Sequence, residues 1–273
     1  MTASSPSRVW SHAWRVLALI VVCLLGLQLY FVARIALMRF VDPESTSFQR
    51  SEAWRLIAEK NHLAWSQEWV EYARISPNLK RAVIASEDAG FADHGGVDWD
   101  ALERAWERNL KAEERVARIN ADMERRAALR GQRRVEAPVG AAAKPPARAQ
   151  PRIVGGSTIT QQLAKNLFLG SERSWARKAQ EFAITFMLES LLSKQRILEI
   201  YLNSVEWGEG VFGAEAASRH YFHVGASQLS PYAAARLAVM LPAPKRFEKR
   251  PGSPYVTGRA STVMARMGAV DLP

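Results

Sequence analysis

The N-terminal part of the chain contains a long apolar run. Val16 to Ala33 are 18 residues, of which Gln28 is the only strongly polar one. A helix of that length is roughly 27 Å long, close to the hydrocarbon thickness of a bilayer. A cleaved signal peptide is the alternative, but Arg34 and Arg39 follow in place of a small-residue cleavage site. We therefore predict a transmembrane anchor over residues 16–38.

Charges on either side of this run predict its orientation. Arg8 and Arg15 precede it, whereas Asp42 and Glu44 follow closely. The positive-inside rule therefore places residues 1–15 in the cytoplasm and the body of the chain outside.

Beyond the anchor, apolar residues recur at helical spacing and seldom alternate, which predicts a mainly α fold. Ser-Pro pairs at residues 76–77 and 230–231 are typical of helix starts. The predicted helices run from Pro77 to about Glu87, from Asp98 towards Gly131, from about Thr160 to Phe168, from Ser174 to Tyr201, from Ala214 to Tyr221 and from Pro231 to Leu241. Trp207 to Gly210 is predicted as a loop. The candidate buried positions of the longest stretch are Phe182, Phe186, Met187, Leu191 and Leu192.

The same patterns divide the rest of the chain into parts. Residues 39–75 are predicted as a membrane-proximal segment of short helices rich in Trp, and residues 76–250 as the main domain. A basic flexible insert, residues 112–152, interrupts that domain, and residues 251–273 form a C-terminal segment. Proline and alanine are frequent in 135–152, which predicts a mobile tether.

The net charge of +10 comes from 37 Lys and Arg against 27 Asp and Glu. Residues 111–152 hold 11 of those cations and 5 of the acids, so this segment supplies +6 of the total. The body of the chain is therefore nearly neutral, which argues against a nucleic-acid partner. The single cysteine, Cys23, excludes an intramolecular disulfide and a cysteine-built zinc site.

One candidate site lies at a glycine-broken helix end. Residues 86–98 place two adjacent carboxylates, Glu87 and Asp88, near His94. Apolar Phe91 can desolvate a carboxyl and raise its pKa towards that of a general base. From this stretch alone, an ordinary helix end with solvated acids explains these residues equally well.

A second candidate site lies in Gly155 to Gln162, where glycines and hydroxyls precede a helix whose N-terminus favours an anion. Capping explains hydroxyl residues such as Ser157, but from the sequence it does not explain the pair Gln161 and Gln162. Lys165 follows one turn later.

A third candidate is a group of cations around one acid. Arg173, Arg177 and Lys178 precede Glu181, which stands four residues after Arg177 and three after Lys178. An ordinary surface ion pair is the alternative.

These segments, with three later ones, resemble the five ordered motifs of the peptidoglycan glycosyltransferases. The resemblance is closest to the monofunctional members of that family. The later segments are Ile197 to Asn203, Gly208 to Gly213 and Leu237 to Pro242. The resemblance covers roughly Ile75 to Phe247 and implies a lysozyme-like fold. It also implies an enzyme that polymerises lipid II into glycan strands, with inversion at the anomeric carbon and release of polyprenyl diphosphate.

The resemblance assigns roles to particular residues. Glu87 matches the general base that deprotonates the acceptor's sugar 4-hydroxyl, and Glu181 matches a glutamate that organises the donor diphosphate, with a divalent cation (Mg or Mn) as a candidate cofactor. Asp88 would support the site. The substrate-binding residues implied by the motifs are Ser157, Gln161, Gln162, Lys165, Arg173 and Lys178. Among cations Glu181 should stay ionised, so Glu87 is the better base.

Partners and location follow from the same resemblance. The expected partners are lipid II, the nascent glycan chain, membrane lipids and the cell-wall synthesis machinery. The expected location is the bacterial inner membrane, with one span and the catalytic domain on the periplasmic face. Trp65, Trp69 and the long helix after Glu181 are candidates for an apolar face that enters the membrane.

Two other functions fit these residues less well. A lytic glycan cleaver needs no diphosphate pocket, and a non-catalytic scaffold would have lost Glu87 or Glu181. A transpeptidase domain is not expected, because 31 residues follow Pro242 and neither a serine nucleophile motif nor Lys-Thr-Gly is present. The departures from the family pattern are Ala233, where the last motif usually has Glu, and the long insert.

Overall fold

The computed structural model describes residues 6–134, 148–151, 155–170, 172 and 174–273. The helices in this part of the chain are α1 (Pro6–Leu37), α2 (Ser47–Lys60), α3 (Pro77–Glu87), α4 (Trp99–Arg134), α5 (Ile159–Phe168), α6 (Trp175–Leu191), α7 (Lys194–Ser204), α8 (Ala214–Phe222), α9 (Pro231–Met240), α10 (Pro244–Phe247) and α11 (Pro254–Arg266). The strands are β1 (Ser66–Gln67), β2 (Glu206–Gly208) and β3 (Val211–Phe212). The mainly α prediction is confirmed.

The chain forms two compact units. The first contains residues 1–97 and 158–273, and the second contains residues 98–157. In the first unit, the core consists mainly of α3 packed against α9 and α11, and of α5 packed against α6 and α7.

Helix α1 confirms the long apolar N-terminal helix. Within the described residues, His12–Leu37 is the one helical stretch long and apolar enough to cross a membrane, with 26 residues. Most of this stretch is exposed, whereas Phe31, Ile35 and Met38 near its end are buried in the core of the first unit. The helix therefore has an exposed apolar part and a part that packs on the domain.

Capping residues set the starts of the helices that matter for the site. Ser76 accepts a hydrogen bond from Asn78 N–H and precedes Pro77, as predicted for the start of α3. The predicted unbroken helix from Ser174 to Tyr201 is wrong, because α6 ends at Leu191 and Ser193 caps a new helix, α7, by accepting from Arg196 N–H.

The predicted buried face of α6 is also largely wrong. Of the five candidates only Leu192 is buried, and Phe186 is exposed. The buried positions are Glu181, Ile184, Thr185 and Leu188, which recur at helical spacing. Glu181 on α6 therefore faces the core, and Phe186 lies on the exposed side of the helix.

A small sheet ties the membrane-proximal segment to the domain. β1 pairs in parallel with β3, which pairs antiparallel with β2, so the strand order is β1-β3-β2. The loop predicted over Trp207 to Gly210 is therefore partly strand. Gly210 has a φ of 72°, and a Cβ there would lie 2.0 Å from Ala64 O, so the turn requires glycine.

The two tryptophans predicted to enter the membrane are partly buried against other residues. Trp65 stacks on Phe212 with ring centroids 4.4 Å apart. The Trp69 ring is partly buried against the core and lies 5.5 Å from the Arg196 guanidinium. Each tryptophan therefore has part of its ring in contact with the protein.

Helix α4 in the second unit has 36 residues and begins after Asp98, whose Oδ1 accepts from Ala101 N–H at 2.7 Å. Residues 112–134 of the predicted flexible insert are therefore helical. Asn120 exchanges two hydrogen bonds with the Ala149 backbone, at 3.0 and 3.1 Å. The rest of the predicted tether, residues 135–147 and 152, lies outside the described residues.

Candidate active site

Glu87 lies in the last turn of α3 and is held by a chain of two hydrogen bonds. Gln162 on α5 donates from Nε2 to Glu87 Oε2 at 3.0 Å. The hydroxyl of Tyr201 on α7 donates to Gln162 Oε1 at 2.9 Å. Tyr201 thereby fixes which way the Gln162 amide points, so that its NH₂ group faces the carboxylate.

The surroundings of Glu87 favour its neutral form. Burial is the largest cause that raises the pKa of Glu87, and the nearby Asp88 charge raises it further. The hydrogen bond from Gln162 acts in the opposite direction but does not cancel these effects. A carboxyl with a raised pKa is a stronger proton acceptor once it is ionised, which is the property a general base needs.

Asp88 connects three parts of the site. Its Oδ2 accepts from Ile159 N–H, at the start of α5, at 3.0 Å, and its Oδ1 lies 2.8 Å from His94 Nε2. Asp88 is buried, so both contacts are shielded from water. The side chain thus holds the end of α3, the following loop and the start of α5 together.

The loop after α3 is fixed at Gly96. This residue has a φ of 95°, and a Cβ there would lie 2.8 Å from Glu189 Cγ and 2.8 Å from Thr185 Cγ2. Thr158 Oγ1 donates to Gly96 O at 2.6 Å. The close approach to α6 therefore requires glycine at this position.

Glu181 lies among cations on α6. Its carboxylate is buried and accepts from Arg177 Nη1 at 3.1 Å and from Lys178 Nζ at a short distance. Lys165 on α5 is coupled to this group: partial desolvation is the first cause that lowers its pKa, the Arg177 and Lys178 charges lower it further, and Glu181 opposes them. Arg177 and Lys178 thus pair with one carboxylate, and Lys165 interacts with it electrostatically, which leaves a positive excess.

Helix α5 carries one residue that interacts with Glu87 and one that interacts with Glu181. Gln162, which contacts Glu87, and Lys165, which is coupled to Glu181, stand three residues apart on this helix. Side chains at that spacing are neighbours on a helix surface, with Cβ atoms about 5–6 Å apart. The proton-accepting group and the positive cluster therefore lie along the same side of α5.

The remaining predicted residues lie elsewhere. Gln161 is buried, and its Oε1 accepts from Thr158 N–H while Thr158 Oγ1 accepts from Gln161 N–H. This capping box explains Gln161, so the expectation that capping leaves it unexplained is wrong. Ser157 is an exposed residue of the second unit. Arg173 lies outside the described residues.

Tyr201 is the site residue that the sequence analysis missed. It lies in the motif segment Ile197 to Asn203, and the sequence alone indicates no role for it. Its ring is fully buried, and a buried tyrosine hydroxyl usually requires a hydrogen-bond partner. That requirement was the available signal, although the partner becomes evident only once α5 and α7 are packed together.

The predicted divalent cation does not fit the donor set. Both carboxylate oxygens of Glu181 already pair with cations, and Lys165 adds a third positive charge. Within the described residues, no group of three or more His, Cys, Asp or Glu side chains is arranged to hold a metal ion. A resident Mg²⁺ or Mn²⁺ would require several oxygen ligands, which this group of side chains does not offer.

Comparisons with known proteins relate the chain to one protein family. The profile of the transglycosylase family matches residues 55–118 and 135–268, so the unmatched residues 119–134 fall in the later half of α4. The biosynthetic peptidoglycan transglycosylase of Burkholderia thailandensis is 49% identical over 250 residues, which are 91% of this chain and 83% of that protein. Those of Paraburkholderia xenovorans and Burkholderia multivorans are each 46% identical, over 94% and 98% of this chain and 91% and 94% of theirs.

The matched segments include the carboxylates of α3 and α6 and all of α5, which lies between them. The family profile and the similarity over most of the chain's length show that the chain belongs to the transglycosylase family.

Proposed function

We propose that this chain is a membrane-anchored peptidoglycan glycosyltransferase that polymerises lipid II into glycan strands for the cell wall. The observation that supports this most directly is the arrangement along α5, where Gln162 contacts a general-base candidate and Lys165 belongs to a positive cluster. The names of the similar proteins agree with this activity.

The first half of the proposed reaction uses Glu87. The acceptor's sugar 4-hydroxyl donates its proton to the Glu87 carboxylate as its oxygen forms a bond to the anomeric carbon of the donor. Gln162 keeps the carboxylate oriented, and Asp88 holds α3 and α5 at a fixed distance. The proton ends on Glu87 and leaves to solvent before the next cycle.

The second half uses the positive cluster. As the bond to the anomeric carbon breaks, its electron pair moves onto the diphosphate, which leaves as polyprenyl diphosphate, and attack from the opposite face inverts that carbon. Lys165, Arg177 and Lys178 stabilise the developing charge, since preorganised cations act most strongly on charge that appears in the transition state. Arg173 belongs to this group in the proposal because of its position in the motif.

The location and partners are part of the proposal. Helix α1 would anchor the protein in the bacterial inner membrane with the catalytic domain on the periplasmic face, so that a substrate with a polyprenyl tail is always nearby. Lipid II and the growing glycan chain are the substrates, and the cell-wall synthesis machinery is the proposed protein partner. Peptide cross-linking is not included, because the 273 residues lack a transpeptidase serine motif.

The test of the function is direct. Purified full-length protein in lipid vesicles is incubated with labelled lipid II, with and without a chelator, and the products are sized. We expect long glycan strands, with one molecule of polyprenyl diphosphate released for each glycosidic bond formed. Consumption of pre-formed glycan strands with no polymer from lipid II would contradict the proposal and favour a glycan-cleaving enzyme.

Replacing Tyr201 with phenylalanine tests the orientation of the base. Without the hydroxyl, the Gln162 amide can rotate away from Glu87, and the loss of a hydrogen bond that lowers the pKa of Glu87 allows that pKa to rise further. We expect kcat to fall about three- to tenfold, which corresponds to the roughly 0.5–1.5 kcal/mol typical of one neutral hydrogen bond. The acid limb of the pH–rate profile should move to higher pH, because the base must be ionised to work.

Tyr232→Phe is the matched control, since Tyr232 is partly exposed on α9 outside the site. A lower rate in Tyr201→Phe with an unmoved acid limb would show that Tyr201 contributes only to packing.

A further inference from the structure

The polar residue in the apolar run pairs with the helix that holds the positive cluster. Gln28 Nε2 donates to Gln180 Oε1 at 2.9 Å, and Gln180 Nε2 donates to Gln28 Oε1 at 3.0 Å. Gln180 directly precedes Glu181 on α6. The proposed reaction uses neither glutamine, so this pair requires a separate explanation.

The pair lies where α1 changes its surroundings. The side chains from Val16 to Leu27 are exposed, whereas Phe31, Ile35 and Met38 are buried in the domain. These three follow Gln28 at helical spacing, and the Phe31 ring meets the Phe168 ring at 5.2 Å. Gln28 is therefore the first residue of the stripe by which α1 docks on the domain.

A polar pair at this point specifies register better than apolar contacts do. A glutamine amide in an apolar helix face costs free energy unless a partner satisfies it. Apolar side chains pack almost equally well after a slide or a rotation, whereas the two reciprocal hydrogen bonds form in one alignment only. A single polar pair fixes register in the same way in coiled coils.

The register of α1 against α6 determines how far the positive cluster lies from the bilayer. The apolar stretch His12–Leu37 has 26 residues and is therefore about 39 Å long, whereas the hydrocarbon core is about 30 Å thick. Gln28 lies 16 residues after His12, about 24 Å along the helix, near the level at which a span that begins there approaches the headgroups. Arg177, Lys178 and Glu181 lie within one turn of Gln180.

We propose that Gln28 and Gln180 are positioning residues, whose pair fixes the height of the cluster Arg177, Lys178 and Glu181 relative to the bilayer. A donor held in the membrane by its polyprenyl tail presents its diphosphate at the headgroup level, and the pair aligns the cluster with that level. This proposal rests on the proposed function, because it concerns how the cluster binds the diphosphate of a membrane-held donor.

The first experiment separates positioning from plain stability. Gln28→Leu, Gln180→Leu and the double variant are assayed with lipid II in vesicles and with a short-chain, water-soluble lipid II analogue in detergent. We expect KM for long-chain lipid II to rise about five- to tenfold in each single variant, as for the loss of an interhelical hydrogen-bond pair. The double variant should be no worse than either single one, kcat should stay within about twofold, and the short-chain analogue should show no change.

The control for that assay is Leu29→Ala, since Leu29 is 69% exposed next to Gln28 and outside the docking stripe. We expect this variant to behave as wild type with both substrates. An equal loss with both substrates in the glutamine variants would overturn the proposal, because destabilisation affects the two assays alike.

A second measurement does not depend on activity. Trp175, at the start of α6, is 91% exposed, so Trp175→Cys in a Cys23→Ser background accepts a fluorescent label. Quenching by spin-labelled lipids then reports the depth of the label in vesicles. We expect Gln28→Leu to change that depth or broaden its distribution. An unchanged depth together with an unchanged KM would overturn the positioning role. If the wild-type protein makes no polymer while Gln28→Leu still changes the depth of the label, only the proposed function is contradicted.

Discussion

Replacing Glu87 with glutamine is expected to lower the rate of lipid II polymerisation by about 10³-fold or more. A positioned general base contributes typically about 10²- to 10⁴-fold, and glutamine cannot accept the proton of the acceptor hydroxyl. The variant keeps the volume of the side chain and a hydrogen-bonding partner for Gln162, so the geometry of α3 and α5 should persist. The measurement is the initial rate of strand formation from labelled lipid II in vesicles.

The same substitution should leave the fold at least as stable. The pKa of Glu87 is raised in the folded protein, mainly by burial, which means that ionisation of this group costs free energy there. That cost is present when the pH lies above the raised pKa and disappears at lower pH. We therefore expect the Tm of Glu87→Gln to equal or exceed that of wild type at pH 7, with the difference shrinking in acid.

The matched control is Asp93→Asn, a charge-removing change on the exposed loop that follows α3. It should keep nearly the full rate. Wild-type strand lengths and rates from Glu87→Gln would contradict the assignment of the base. A clear fall in Tm would instead show that the ionised carboxylate stabilises the fold.

The helices around the site were predictable because their starts are encoded locally. Ser76 with Pro77 and Ser230 with Pro231 each place a capping hydroxyl before a helix-compatible proline, and α3 and α9 begin there. The break at Ser193 was missed because Leu191, Leu192 and Ile197 continue the apolar pattern, so the cap is the only local signal. Periodicity alone does not distinguish one long helix from two that follow each other directly.

The site was predictable in its residue types but not in its contacts. Glu87 and Glu181 were chosen from motifs, while the link between them through Gln162, Lys165 and Tyr201 depends on how α5 packs against α7 and α6. The capping box of Gln161 and the buried face of α6 were missed for the same reason. Each side chain has a local alternative, a capping box or a rotated helix, and long-range packing decides between the alternatives.

Replacing Glu181 with glutamine is expected to lower both activity and stability. Glutamine leaves the charges of Arg177 and Lys178 uncompensated, so they repel each other and no longer keep their alignment with Lys165. Loss of preorganised charge at a leaving group typically costs about 10²- to 10³-fold in rate. Removing one partner of a buried ion pair costs about 3–5 kcal/mol, and because the two cations are 21% and 37% exposed we expect about 1–3 kcal/mol here.

Glu199→Gln separates these two effects. Glu199 on α7 pairs with Arg196 at 2.7 Å, and the two side chains are 12% and 16% exposed, so this variant loses a comparable ion pair outside the positive cluster. Both variants should show similar losses in Tm, whereas only Glu181→Gln should lose turnover per folded molecule and weaken the apparent affinity for lipid II. If the two variants lose turnover equally, Glu181 acts through stability alone, and the proposed diphosphate site loses its organising carboxylate.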